Sequence, residues 1–147
     1  MNLLIKITLF FLLSCSTTKT IVSDQALQEI LSLHKTNGGA TYCFHLQGNM
    51  QHTQFFAVGV YPQRGKVLPR KMKFDDLKRF AQVSQDLLHQ EYCLGTWVDE
   101  KKNTFIDIVK VVPLSAGRHK AIELAREHKQ VAIYNLYKDT VIKVPKN

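Results

Sequence analysis

Apolar positions first cluster near the start of the chain. Lys6 precedes the apolar residues 7–13, and Ser14-Cys15 follows them. A charged start, a short apolar run and a small residue before the cut form the layout of a secretory signal peptide. The run is too short to cross a bilayer as a helix, which takes about 20 residues; the alternative is a buried N-terminal strand or helix. Residues 16–22 are a polar tether. The period then becomes helical. Ser23-Asp24 can cap a helix running to about residue 35, with Leu27, Ile30, Leu31 and His34 on one face and Asn37-Gly38-Gly39 as its stop.

Period two comes next. In residues 41–46, Tyr42, Phe44 and Leu46 alternate with Thr41, Cys43 and His45. Residues 47–54 are a polar loop, and Phe56, Val58 and Val60 mark a second strand over residues 55–61. The two predict a hairpin with a long connection. Residues 62–66 are a turn and 67–69 a short extended piece. A second helix follows, with Asp75 as its cap, Asp76 suited to the N-terminal dipole and Phe74 as a staple. Its stripe of Leu77, Phe80, Ala81, Leu87 and Leu88 is interrupted once, at Ser84. Residues 92–98 and 105–112 predict another hairpin around the charged residues 99–103. Ser115 is placed to cap a third helix through about residue 129, with Ile122, Leu124 and Ala125 as its apolar positions. Residues 131–136 and 140–144 make a last hairpin around Lys138-Asp139. The order αββαββαββ predicts an α+β single domain: a mainly antiparallel sheet built of hairpins with three helices packed against it. The segments are then a leader over residues 1–14, a tether over 15–22 and the domain over 23–147.

Composition fits one globular domain, with 45% hydrophobic residues in 147. The formal charge of +8, of which Lys6 belongs to the leader, suits an acidic partner such as nucleic acid or anionic lipid, or is a solvated basic surface. The cut before Cys15 resembles the lipobox of bacterial lipoproteins, although Leu13 is larger than the usual residue. This resemblance implies that Cys15 carries the lipid, as a palmitate-bearing anchor in the bacterial envelope. Cys43 and Cys93 then remain as an even pair, either a disulfide in an oxidising compartment or two buried thiols. No CxxC or Cys/His spacing points to a structural zinc, and no cofactor is implied.

Several residues can carry chemistry. Arg64-Gly65-Lys66 lies at a turn after a strand; its two cations and a close backbone can hold a phosphate, or simply face water. Trp97, the only tryptophan, can stack on a base or sugar or serve the core. Asp107 interrupts an apolar strand on the face shared by Phe105, Val109 and Val111. A carboxylate there is either paired with a basic residue or belongs to a polar site. Six histidines are present. His45 and His52 are the candidates for a proton carrier, although each is more commonly structural. Walker, GxGxxG, GxSxG and HExxH motifs are absent, so nucleotide hydrolysis, dinucleotide oxidoreduction and α/β-hydrolase chemistry have no support.

Five short motifs occur in order: Gly38-Gly39-Ala40-Thr41-Tyr42, Phe56-Ala57-Val58-Gly59-Val60-Tyr61-Pro62-Gln63-Arg64, Leu94-Gly95-Thr96-Trp97-Val98-Asp99, Thr104-Phe105-Ile106-Asp107-Ile108, and Gln130-Val131-Ala132-Ile133-Tyr134-Asn135-Leu136. Over residues 38–137 this order resembles a small domain of phage, prophage and toxin-associated proteins, connected with the phage branch of the barnase–colicin–RelE-like nuclease fold. The resemblance implies site roles for Tyr61, Arg64, Trp97, Asp107 and Gln130. Gly59 stands where the pattern has serine, Lys129 where it has asparagine, and Tyr134-Asn135 where it has Phe-Asp, which implies a weakened or inactive copy. Two functions follow. The first is an exported, lipid-anchored, basic, non-catalytic module that binds an envelope partner or a phage component. The alternative is a metal-independent ribonuclease in which Arg64 and Lys66 hold the phosphate, His45 or His52 moves the proton and Trp97 stacks on a base.

Overall fold

Ser23 starts the first helix as its spacing predicts. In the computed structural model, which describes residues 22–46 and 48–146, its hydroxyl accepts from the Ala26 N–H at 3.1 Å at the head of α1 (Asp24–Asn37). Gly38, at φ 76°, donates its N–H to the His34 carbonyl at 2.9 Å and ends the helix. Leu27, Ile30, Leu31 and His34 are its buried face. The leader, Cys15 and the tether through residue 21 lie outside the described residues. No described helix is long and apolar enough to cross a membrane.

The strands are β1 (Gly39–Cys43), β2 (Gly48–Asn49), β3 (Phe55–Val60), β4 (Lys66–Leu68), β5 (Cys93–Val98), β6 (Thr104–Pro113), β7 (Ala132–Asn135) and β8 (Thr140–Lys143). Among the described residues they form one antiparallel sheet in the order β2-β1-β5-β6-β3-β7-β8. β4 pairs with the first residues of β6, where β3 no longer reaches. The β5–β6 and β7–β8 hairpins form as the sequence predicts.

The hairpin expected between residues 41–46 and 55–61 does not form. β5 and β6 come between its strands, with Ala40 opposite Thr96 on β5 and Val58 opposite Lys110 on β6. β1 stops at Cys43 and the chain turns through a 3-10 segment, Phe44–Leu46, so His45 shares no strand face with Cys43. Long β6 takes β5 on one side and β3 and β4 on the other, which outweighs the local pairing.

The helices also differ in detail. The second splits into α2 (Phe74–Val83) and α3 (Gln85–Leu88) at Ser84, which is buried with its hydroxyl unpartnered. Its N-cap is Lys73 rather than Asp75. Asp76 is the working carboxylate: it accepts the Lys73 N–H at 2.9 Å and both guanidinium nitrogens of Arg70 at 2.7 and 2.8 Å. The Arg70 hydrogen bonds, then the Lys73 N–H, hold its carboxyl down at about 2 against a desolvation cost. The last helix, α4 (Arg118–Glu127), begins after Gly117. Ser115 caps nothing and lies in the 3-10 segment Leu114–Ala116.

All four helices lie on one face of the sheet. α1, α2 and α3 cover Tyr42, Leu94, Ile106 and Ile108. α4 presents Ala121 and Ala125, small enough for close approach, to Phe56, Val58 and Ile133. The other face carries a smaller apolar cluster around Cys43, Cys93, Met50, Ala57, Val109 and Leu136. Cys43 and Cys93, on adjacent strands with Cα atoms 4.3 Å apart, form a disulfide across 50 residues of sequence. A loop of that size implies a stabilisation of about 4 kcal/mol in the chain-entropy picture. The Cys43→Ser/Cys93→Ser double variant is therefore expected to lose roughly 2–4 kcal/mol in denaturant unfolding. An unchanged unfolding midpoint would remove the disulfide from the account of stability.

Candidate ligand site on the helix-free face

Strand alternation sends Thr41, Gly95, Trp97, Asp107, Val109, Gly59 and Tyr134 to the face away from the helices. There a cavity of about 390 Å³ opens. It is lined mostly by apolar and small residues, and Asp107 is the one charged side chain among the described lining residues.

Trp97 and Asp107 are placed by the β5–β6 register, in which Trp97 faces Phe105 and Gly95 faces Asp107. The indole stacks on Phe105 with ring centroids 4.0 Å apart and planes 9° from parallel. Its Nε1–H donates to Asp107 Oδ2 at 3.1 Å. Burial pushes the Asp107 carboxyl above its ordinary value, and the Trp97 hydrogen bond works against that rise. On the β1 side, Trp97 faces Gly39. A Cβ at Gly39 would lie 2.7 Å from the Thr96 carbonyl oxygen, so the backbone there tolerates no side chain. One indole face is thus covered by Phe105 and the other lies over a position with no side chain. The ring remains 46% exposed.

Gln130 comes from the turn after α4. Its N–H donates to the Ala125 carbonyl at 2.7 Å, and its Nε2 reaches the His128 carbonyl at 3.3 Å. Its amide lies over Gly59, where an added Cβ would come 2.9 Å from Oε1. The serine of the resembling pattern would collide with Gln130 as it stands here.

Residues 50–52 close one end of the cavity. Met50 donates its N–H to the Thr41 carbonyl at 2.8 Å, and His52 donates to the Leu136 carbonyl at 2.9 Å. Asn37 Nδ2 donates to Gln51 Oε1 at 2.9 Å, and Gln51 Nε2 donates to Asp139 Oδ1 at 3.2 Å. The Tyr134 hydroxyl also donates to Asp139; burial, then that carboxylate, push its pKa up to about 12.

Three residues singled out from sequence therefore meet here: Trp97, Asp107 and Gln130. The others do not line the cavity. Arg64 forms a fork on Asp86 at 3.1 and 2.6 Å and reaches the Val83 carbonyl at 3.1 Å. Gly65 of that turn lies against Asp107, but the guanidinium is held at the α2–α3 junction. Lys66 sits on β4 opposite Ile106. Tyr61, at φ 51°, donates its N–H to His128 Nδ1 at 3.1 Å and pairs its hydroxyl with that of Tyr92 at 2.9 Å, beside the helix-side core. That pairing, then burial, push the Tyr92 hydroxyl up to about 12. His45 lies in a 3-10 segment with Nδ1 unpartnered, and His52 is exposed on the loop.

Sequence reasoning missed Gly39, Gln51, Tyr134, Val131 and Val141 as lining residues. The available signal was glycine inside apolar strands, at positions 39, 59 and 95, which marks close approach of something other than a side chain.

Because the folded Asp107 carboxyl titrates above 3.8, its contribution to stability is full below 3.8 and is lost as pH rises through the folded value. Asp107→Asn keeps an acceptor for the Trp97 N–H and removes the buried charge. Its Tm is expected to exceed that of the wild type at pH 7, with the difference closing below pH 3.8. A lower Tm at pH 7 would show that the ionised carboxylate is held by something other than Trp97.

The chain matches no family model, no curated protein and no solved structure.

Proposed function

We propose that this domain is a non-catalytic binding module that holds its ligand in the cavity on the helix-free face. The observation that carries this reading is the cavity itself: about 390 Å³, largely apolar, with a few convergent polar groups and one carboxylate of raised pKa. Acid–base or nucleophilic catalysis needs a nucleophile or proton carrier beside a group that orients it. The titratable side chains on the lining are Asp107 and Tyr134, and Tyr134 is occupied by Asp139. The ribonuclease alternative needs His45 or His52 beside Arg64 and Lys66, and these residues are spread over a 3-10 turn, a loop, the α2–α3 junction and β4.

The proposal includes export and a lipid anchor at Cys15. The Cys43–Cys93 disulfide supports export, because such bonds persist in oxidising compartments. The net charge of +8, less Lys6 once the leader is removed, suits an anionic surface beneath a short tether.

Two measurements test the two halves. In a fragment screen on isotopically labelled protein, the backbone shifts caused by hits are expected to concentrate on Gly39, Gly95, Trp97 and Val141. Shifts scattered over the helices, or no hits on the helix-free face, would end the binding-module reading. For the anchor, intact mass and fractionation of the expressed full chain should give a membrane-bound species that starts at a lipidated Cys15, lost in Cys15→Ala. An unprocessed chain in the soluble fraction would remove the anchor.

A further inference from the structure

Resting on the binding reading above, we propose that the cavity takes a planar organic cation, a guanidinium or amidinium group on a flat apolar body, stacked on the open face of Trp97 and paired with Asp107. Four features of the cavity converge on this class.

The first is charge. In a chain of net charge +8, the cavity presents one carboxylate and no cation among its described lining residues. Oδ2 of Asp107 accepts only from Trp97 among the described residues, and Oδ1, which lies against Gly65, has no donor there. A half-satisfied carboxylate in a largely apolar setting gains most from a charged donor, which forms the shorter and stronger kind of hydrogen bond.

The second is the ring. Tryptophan is the best aromatic platform for a cation, and a guanidinium stacks flat on it where an ammonium does not. Phe105 backs one face of Trp97 and fixes the ring plane. Gly39 leaves the other face clear. The bond from Nε1 to Asp107 places Oδ2 at the indole edge, where a flat ligand covering the ring can share that oxygen with the indole N–H.

The third is a second acceptor. Gln130 uses Nε2 on the His128 carbonyl, and its Oε1 accepts no hydrogen bond among the described residues. Two free acceptors and no free charged donor favour a ligand rich in N–H groups. The fourth is the mouth. Val131 and Val141 are 82% and 66% exposed on the lining. They offer apolar area to the body that carries the cation.

Trp97 is the only tryptophan, so its fluorescence reports on the cavity alone. The test titrates full-length protein with three nearly isosteric probes: benzamidine (cation), benzamide (neutral) and benzoate (anion). Benzamidine is expected to give a saturable change and to bind at least about tenfold more tightly than benzamide, as charge-assisted pairing implies, with benzoate silent. In Asp107→Asn, benzamidine should fall to the benzamide level, with a cooperative thermal unfolding transition showing that the variant is folded. The ranking in the wild type needs no variant. Benzamide or benzoate binding as tightly as benzamidine would overturn the cation assignment and leave the binding module standing. Benzamidine preference retained in Asp107→Asn would overturn the role of that carboxylate. Silence from all three probes would overturn the proposal, while the fragment map on the helix-free face separately decides whether the cavity binds anything.

Discussion

The register of β6 is the constraint on which both the core and the cavity depend. Its alternation gives Ile106 and Ile108 to the helix side, at zero exposure, and Asp107 and Val109 to the other. A slip of one residue would drive Asp107 into the main core and bring two isoleucines to the surface. Desolvating an unpaired carboxylate there costs several kcal/mol, so the strand has one register that both faces accept. Three partners, β5, β3 and β4, hold it along its length. The cavity chemistry is therefore fixed by the same apolar residues that stabilise the fold.

This arrangement separates stability from recognition across the thickness of one sheet. The helix side is filled with aliphatic and aromatic side chains from four helices and seven strands. The other side is packed only at one end, around the disulfide, Met50 and Leu136. Beyond that end the strands carry glycine and alanine where a closed barrel or a second helical layer would need bulk. The disulfide matters more in such a fold than in a fully packed one, because β1 receives side-chain cover on the cavity side chiefly from this small cluster. It ties β1 to β5 next to the pair Thr41–Gly95, where the cavity begins.

Legibility in the sequence followed locality. α1 could be read in full, because Ser23, the i, i+3, i+4 spacing and Gly38 are all local signals. The β5–β6 and β7–β8 hairpins were legible for the same reason. Asp107 stood out as a polar residue in an apolar strand, and its face was predicted correctly by alternation alone. The failures turn on partners and burial that residue spacing alone does not show. Arg64 reads as a free cation beside glycine until Asp86 and Val83 are brought to it by the fold. Asp75 reads as the cap until Arg70 and the Lys73 N–H select Asp76. Ser84 reads as a polar interruption in one helix, whereas burial turns it into the break between two. Within the cavity, Trp97, Asp107 and Gln130 stand out in the sequence, whereas Gly39 and Gly95 read as ordinary turn and strand residues unless glycine inside an apolar strand is taken as a sign of close approach.

The mistaken hairpin and the form of the cavity have the same origin. A loop that merely reversed the chain between β1 and β3 would need only to turn. Here residues 50–52 run from β1 to the end of β7, with Met50 bonded to Thr41 and His52 to Leu136. His52 adopts a positive φ of 62° on the way, a conformation that costs a non-glycine residue energy and persists where surrounding bonds impose it. The side chains of Asn37, Gln51, Asp139 and Tyr134 continue the bridge from the end of α1 to the turn before β8. That bridge lets two strands far apart in the sheet order share one cavity wall. Residues 48–54 of the polar stretch that looks in the sequence like a solvated connection thus act as a strut across the open face. The backbone N–H groups of Met50 and His52 meet carbonyls of β1 and of the residue after β7, and the polar side chain that adds to the strut is Gln51, between Asn37 and Asp139.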